Sequence, residues 1–183
     1  MTADLTDRDG EPGWLDGQLD TRPAGTDSGE PRPSTFIHDF VPLGAAFGPA
    51  AARVLVALNP WSLPRVIADA YNVERSAAAI ELGAGRVVPD EVTVVVGRPR
   101  WRADAVVVPV AVRAAPRSGL PIELEADVEV ASFGSDRCHL HLLGRAKLPA
   151  GTVPMSAEAS IFGRLVVAVV RHALDALAPR LVD

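Results

Sequence analysis

A single cysteine among 183 residues excludes an internal disulfide. No apolar run reaches the roughly 20 residues that a membrane-spanning helix needs, because charged residues or prolines interrupt each one. The acidic N-terminus lacks the basic start and apolar stretch of a secretory signal, so a cytoplasmic protein is expected. P-loop, GxGxxG, GxSxG and HExxH patterns are also missing, which leaves nucleotide, dinucleotide, serine-hydrolase and common zinc-protease chemistry without a motif. Nor is there a basic excess. The net charge is -5, and positions 1–34, with eight Asp/Glu against three Arg, hold all of it; fifteen of each sign remain elsewhere. A folded part that is neutral overall argues against a nucleic-acid partner, which would call for a basic footprint.

What is present divides into two parts. Positions 1–34 are rich in Asp, Gly, Pro and Thr with almost no branched apolar residues. Such a segment buries too little surface to offset its ordering entropy, so a disordered acidic tail is expected there, followed by one domain over 35–183. That domain opens with TFIHDFVPLG, whose alternation predicts a short strand with Phe36, His38 and Phe40 on one side. Gly48-Pro49 and Asn59-Pro60 bracket a helix of about ten residues. A second short helix follows, with Ser62 as N-cap, Pro64 in its first turn and Leu63, Val66, Ile67 and Ala70 at helical spacing.

Beyond Tyr71 the pattern turns strand-like. SAAAIELGAG reads as a weak strand, EVTVVVG as a stronger one with Val92, Val94 and Val96 together, and DAVVVPVAVRA as a longer one with Val106, Val108, Val110 and Val112 on one face. Pro109 removes a ladder donor, which favours an edge or a bulge. IELEADVEV puts Ile122, Leu124, Ala126, Val128 and Val130 on one side and four carboxylates on the other. One buried and one wet face, with connections too short for parallel crossovers, predict an antiparallel meander. SAEASIFGRLVVAVVRHALDALAPRLVD closes the chain as an amphipathic helix with Ser156 as N-cap and an Arg171–Asp175 pair at i,i+4. Its β-branched run is poor for helix propensity, so packing on the sheet must hold it.

Strand, two short helices, a long meander and a long terminal helix resembles the helix-grip fold of the SRPBCC superfamily, which includes START lipid-transfer domains and polyketide cyclase-like proteins. The resemblance covers about positions 35–180. It is closest in Val108-Pro109-Val110, Leu120-Pro121 and the acidic alternation Glu123 to Val130, which are similar to strands of uncharacterised bacterial SRPBCC-like proteins. It implies an α+β fold in which a curved antiparallel sheet of about six or seven strands grips the C-terminal helix. It also implies a cavity between them for an apolar or amphipathic small molecule. It transfers no catalytic residue and no cofactor. Candidate cavity walls are Val94, Val108, Val110, Leu124, Val128 and Leu140 from the sheet, and Phe162, Val166 and Val169 from the helix. Trp61 and Tyr71 stand near one mouth. The same side chains can equally well simply fill a core, although Ala126, Gly163 and Ala173 are small enough to leave a void.

Cys138-His139-Leu140-His141 attracts a metal-site reading, since an HxH pair on a strand points both imidazoles one way. If Val128 and Val130 share the core side with Leu142 and Leu140, then His141 lies opposite Glu129 and His139 opposite Ala131. Both histidines then face outward and Cys138 inward, so the three cannot converge and no metal is expected. His38 and His172 are candidate polar groups for the cavity, and either, with Tyr71, would serve as acid or base if the chain were a cyclase-type enzyme. Arg98-Pro-Arg100-Trp101-Arg102 is a basic hairpin tip suited to anionic headgroups or to plain solvation. The primary expectation is small-molecule binding without catalysis. A cyclase or aromatase is the first alternative, and a protein-interaction module using the acidic tail and outer sheet face is the second.

Overall fold

The computed structural model describes residues 32–81, 91–114, 121–149 and 156–182. The acidic tail up to residue 31, and Leu120 of the Leu-Pro strand start, lie outside them. In chain order the elements are β1 (Ser34–Leu43), α1 (Phe47–Ala57), α2 (Ser62–Glu81), β2 (Val92–Val96), β3 (Arg100–Trp101), β4 (Ala105–Ala114), β5 (Ile122–Ser132), β6 (Cys138–Lys147) and α3 (Ala157–Val182). The fold is α+β. Six antiparallel strands form a curved, unclosed sheet in the order β1-β6-β5-β4-β2, with β3 also pairing with β4. On the inner face α3 packs against β1 and β6, α1 against β4 and β5, and α2 against β2 and α3.

The register of β5 on β6 follows from which side chains must be dry. Val128 pairs with Leu142 and Val130 with Leu140, which sets Glu129 opposite His141 and Ala131 opposite His139. All four of those apolar residues are buried. The hairpin turns through Gly134 at φ 83°, a conformation that favours glycine. Deeper in the pair, Gly144 stands opposite Ala126, and a Cβ built on it would lie 2.4 Å from the Cβ of Ala126. Glycine inside a strand marks a close backbone approach of this kind.

Pro109 is accommodated by splitting the neighbouring strand. β2 pairs with β4 as far as Val96↔Val110, and β3 resumes at Arg100↔Val107. Between them the Pro109 carbonyl accepts from Gly97 N–H at 2.7 Å, so its donor-less nitrogen faces the break and not the β5 ladder.

Three local expectations are corrected. SAAAIE does not form a strand: α2 continues through it to Glu81. The alanines favour helix, the Ser76 hydroxyl returns to the Asn72 carbonyl at 2.7 Å, and Ala77 and Ala78 face α3. Ser62 is not the N-cap of α2. Asn59 Oδ1 accepts from the Trp61 and Ser62 N–H groups at 2.8 Å each, while the Ser62 hydroxyl donates back to the Ala57 carbonyl of α1 at 2.7 Å. Arg171 turns away from Asp175 and binds the Asp39 carboxylate and, at 3.1 Å, the Phe40 carbonyl. Strand β1 runs beside α3 and offers two acceptors, where the helix offers one exposed carboxylate. At the start of α3 the Ser156 cap forms as expected, its hydroxyl accepting from Ala159 N–H at 3.2 Å.

Candidate functional site

The interior between sheet and helices is almost wholly apolar. Val108, Val110, Leu124, Val128 and Leu140 from the sheet, and Phe162, Val166 and Val169 from α3, belong to one buried cluster, against which Val94 packs half-buried. Helix α1 contributes Ala50 and Val54 to the same cluster. Among the described residues Arg75 is the one buried charged side chain, and its guanidinium sits 5.9 Å from the centroid of the buried Tyr71 ring. Ala126 and Gly144, facing inward at the middle of the sheet, remain only half-buried although Val110, Leu124, Val128 and Leu142 around them are buried. Trp61 does not line this interior. It is 88% exposed, because the Asn59 turn that joins α1 to α2 points it outward.

The histidines are distributed differently from the expectation. His38 does not reach the interior: Ile37 and Leu43 take the buried side of β1, so His38 projects from the exposed side with Phe36 and Phe40. His172 points from α3 to α2, where its Nδ1 lies 2.9 Å from Glu74 Oε1. His38, on the outer face, therefore joins neither His172 nor Tyr71.

On that outer face β1 lies next to β6, a neighbour relation that alternation within single strands does not reveal. Phe40 pairs with His141 and His38 with Leu143. The result is a continuous aromatic and imidazole surface: Phe133 stacks on His139 at 4.5 Å between centroids, His139 on Phe40 at 5.3 Å, and His38 lies 5.7 Å from His141. His38 Nε2 and His141 Nδ1 approach to 3.4 Å. Burial pushes the His141 pKa down, and the neighbouring His139 and His38 push the same way against the opposing carboxylate of Glu129. Cys138 is buried on the other side of the strand, as alternation requires, and burial raises its thiol pKa.

The opposite end of the outer face is ionic. Glu123 takes Lys147 at 3.0 Å, Arg32 at 2.6 Å and Arg113 at 3.6 Å, and Lys147 also reaches Glu125 at 3.2 Å. Burial alone would raise the Glu123 carboxyl, but the bonds from Lys147 and Arg32 outweigh it and hold it below the usual carboxylate range. Arg100 from the basic hairpin is occupied by Asp127 at 3.1 Å, and Trp101 beside it is exposed. A cleft of about 180 Å³ separates α2 from α3, with Ala77, Ala78, Ile161, Leu165 and Ala168 lining it and Glu74 and Arg164 as its charged members. Its space comes from the alanines, whose helical placement the strand reading of SAAAIE concealed.

No described helix is long and apolar enough to cross a membrane. No family model matches the chain, and no curated protein matches it. Among solved structures it is similar to the hypothetical protein jhp0584 from Helicobacter pylori, determined at 1.88 Å, with 13% identity over 94% of this chain and 99% of that one. The TM-score of 0.32 is too low for that likeness to carry a statement about fold or function.

Proposed function

We propose that the chain is a non-catalytic binding domain of the helix-grip, SRPBCC-like kind, taking an apolar or amphipathic small molecule between the sheet and its helices. The observation that carries this reading is the half-buried pair Ala126 and Gly144 set among the buried inner-face residues Val110, Leu124, Val128 and Leu142. Small residues that keep accessible surface beneath a helix layer provide the concave apolar lining that small-molecule sites use. The absence of converging titratable groups among the described interior residues supports binding over turnover: His38 is outside, His172 is bound to Glu74, and Tyr71 packs with Arg75. Native mass spectrometry and thermal-shift measurements against fatty acids, sterols and aromatic polyketides test the reading. A ligand-dependent shift that Ala126→Phe abolishes is expected; no shift with any apolar ligand refutes it.

A second reading is favoured by Phe36, Phe133 and Phe40, which are 65%, 59% and 44% exposed on or beside the outer sheet face. Apolar aromatics gathered on an uncovered face suit a protein-interaction module. Deleting residues 1–31, which stops short of the Arg32 bond to Glu123 and of strand β1, or replacing Phe36 and Phe133 with serine, is then expected to remove partner binding while leaving thermal stability unchanged.

A further inference from the structure

Among the described residues, the outer-face histidines His38 and His141 bring imidazoles from separate strands together without an ion pair. Their geometry is specific. The centroids of His38 and His141 are 5.7 Å apart with ring planes 16° from parallel, while Nε2 of one and Nδ1 of the other are 3.4 Å apart. The difference between the two distances is about one ring diameter, so the nitrogens lie on the line between the rings and face each other edge to edge. In the neutral pair one nitrogen donates its proton and the other accepts according to tautomer, and a cation can take the place of that proton.

A divalent ion bound tetrahedrally at about 2.0–2.1 Å from each imidazole nitrogen holds those nitrogens about 3.3–3.4 Å apart. The observed gap already has that size. We propose that His38 and His141 form a two-imidazole site for a borderline divalent cation of the Zn2+, Ni2+ or Cu2+ class, clamping edge strand β1 to β6. Among the described residues no three or more His, Cys or carboxylate side chains converge on one point, so water completes the coordination. His139 lies 5.6 Å from His141 between centroids but with ring planes 53° apart, and the nitrogen-to-nitrogen approach is made by His38 and not by His139. Glu129, directly across from His141 on β5, supplies negative charge beside the site. The strand pairing sets both ligands in place, since Phe40↔His141 and His38↔Leu143 are consecutive outer-face pairs of the β1–β6 ladder. An ion held at about 2.05 Å from each nitrogen sits off the line between them, so each ring swings by about 35° to aim its lone pair at it.

The test is isothermal titration calorimetry and thermal unfolding of the full chain with ZnCl2, NiCl2 and CuCl2, with MgCl2 as a hard-cation control. One Cu2+ or Zn2+ per chain is expected, Cu2+ the tighter, with a raised unfolding temperature and no effect of Mg2+. His38→Ala and His141→Ala should each weaken binding by more than about tenfold, while His139→Ala keeps wild-type affinity. Electron paramagnetic resonance of the Cu2+ complex should show two coupled nitrogens. Any of four results overturns the proposal: no binding by the wild type, His38→Ala binding as well as wild type, His139→Ala losing as much affinity as His141→Ala, or coupling to a single nitrogen. Because all three imidazoles are at least partly exposed, circular dichroism will show each variant folded.

Discussion

Replacing Gly144 with alanine adds one methyl group where the sheet has no space for it. The ideal Cβ position lies 2.4 Å from Ala126 Cβ, 2.5 Å from the Glu125 carbonyl oxygen and 2.7 Å from Ala126 Cα. Two of these three obstacles are backbone atoms of β5, so no side-chain rotation can relieve them and the β5–β6 pair must separate locally. Over-packing of this kind costs about 1–3 kcal/mol, and the upper half of that range applies because backbone has to move. Against it stands a gain of about 0.5–1 kcal/mol from removing a glycine from a strand. The net expectation is a loss of about 1–2.5 kcal/mol, or a fall in unfolding temperature of roughly 2–10 °C for a domain of this size. Urea unfolding followed by circular dichroism measures it. Adding Ala126→Gly should recover only part of the loss, since it removes the Cβ–Cβ conflict and leaves the carbonyl. A Gly144→Ala midpoint equal to or above that of wild type would refute the packing argument.

Asn59→Ala removes the Oδ1 that accepts from the Trp61 and Ser62 N–H groups and a 2.6 Å bond from the side-chain amide to the Val56 carbonyl, and should cost about 1–2 kcal/mol in urea unfolding. Arg171→Met should lower stability by about 1 kcal/mol while speeding hydrogen exchange in β1, because the partly exposed pair with Asp39 is worth little and the tether of the strand is worth more. His141 has a pKa below the ordinary 6.5, so near that pH the unfolded chain binds more protons than the folded one. Stability should therefore fall as pH drops through 6.5 toward the folded value, and His141→Asn should flatten that part of a melting-temperature profile. Glu123 has a carboxyl held below 4.5, so its contribution is complete above that pH and is lost as pH falls through the folded value; Glu123→Gln should flatten that acid limb.

Much of the architecture was legible because strand alternation and the need to bury one face leave little freedom. Requiring Val128 and Val130 to share the core side with Leu142 and Leu140 was enough to set the β5–β6 register, and with it the outward placement of His139 and His141. The same logic failed wherever the deciding partner came from a distant part of the chain. Nothing local says that β1 inserts beside β6, so the joining of His38 and Phe40 to the HxH pair was invisible, and His38 was placed in the interior. Arg171 has an ion-pair partner four residues away in sequence and a better-positioned one across the fold. Alternation also has no purchase on the alanines of SAAAIE, whose small side chains mark neither face. Trp61, expected near one mouth of the cavity, depends on a turn: the Asn59 cap geometry points it outward.

The pairing of β1 with β6 and α3 also sets a timetable. His38 and His141 meet across 103 residues, and the Arg171 bond to the Phe40 carbonyl spans 131. During synthesis the first strand must wait, with Ile37 and Leu43 uncovered, until the last strand and the terminal helix have been made. Long-range closure of this type slows folding and leaves an unpaired apolar edge exposed to other chains in the meantime. Pro42 near the end of β1, which cannot donate to an intruding strand, is then a safeguard while the strand waits, and it stays one afterwards because β1 remains an edge of the finished sheet.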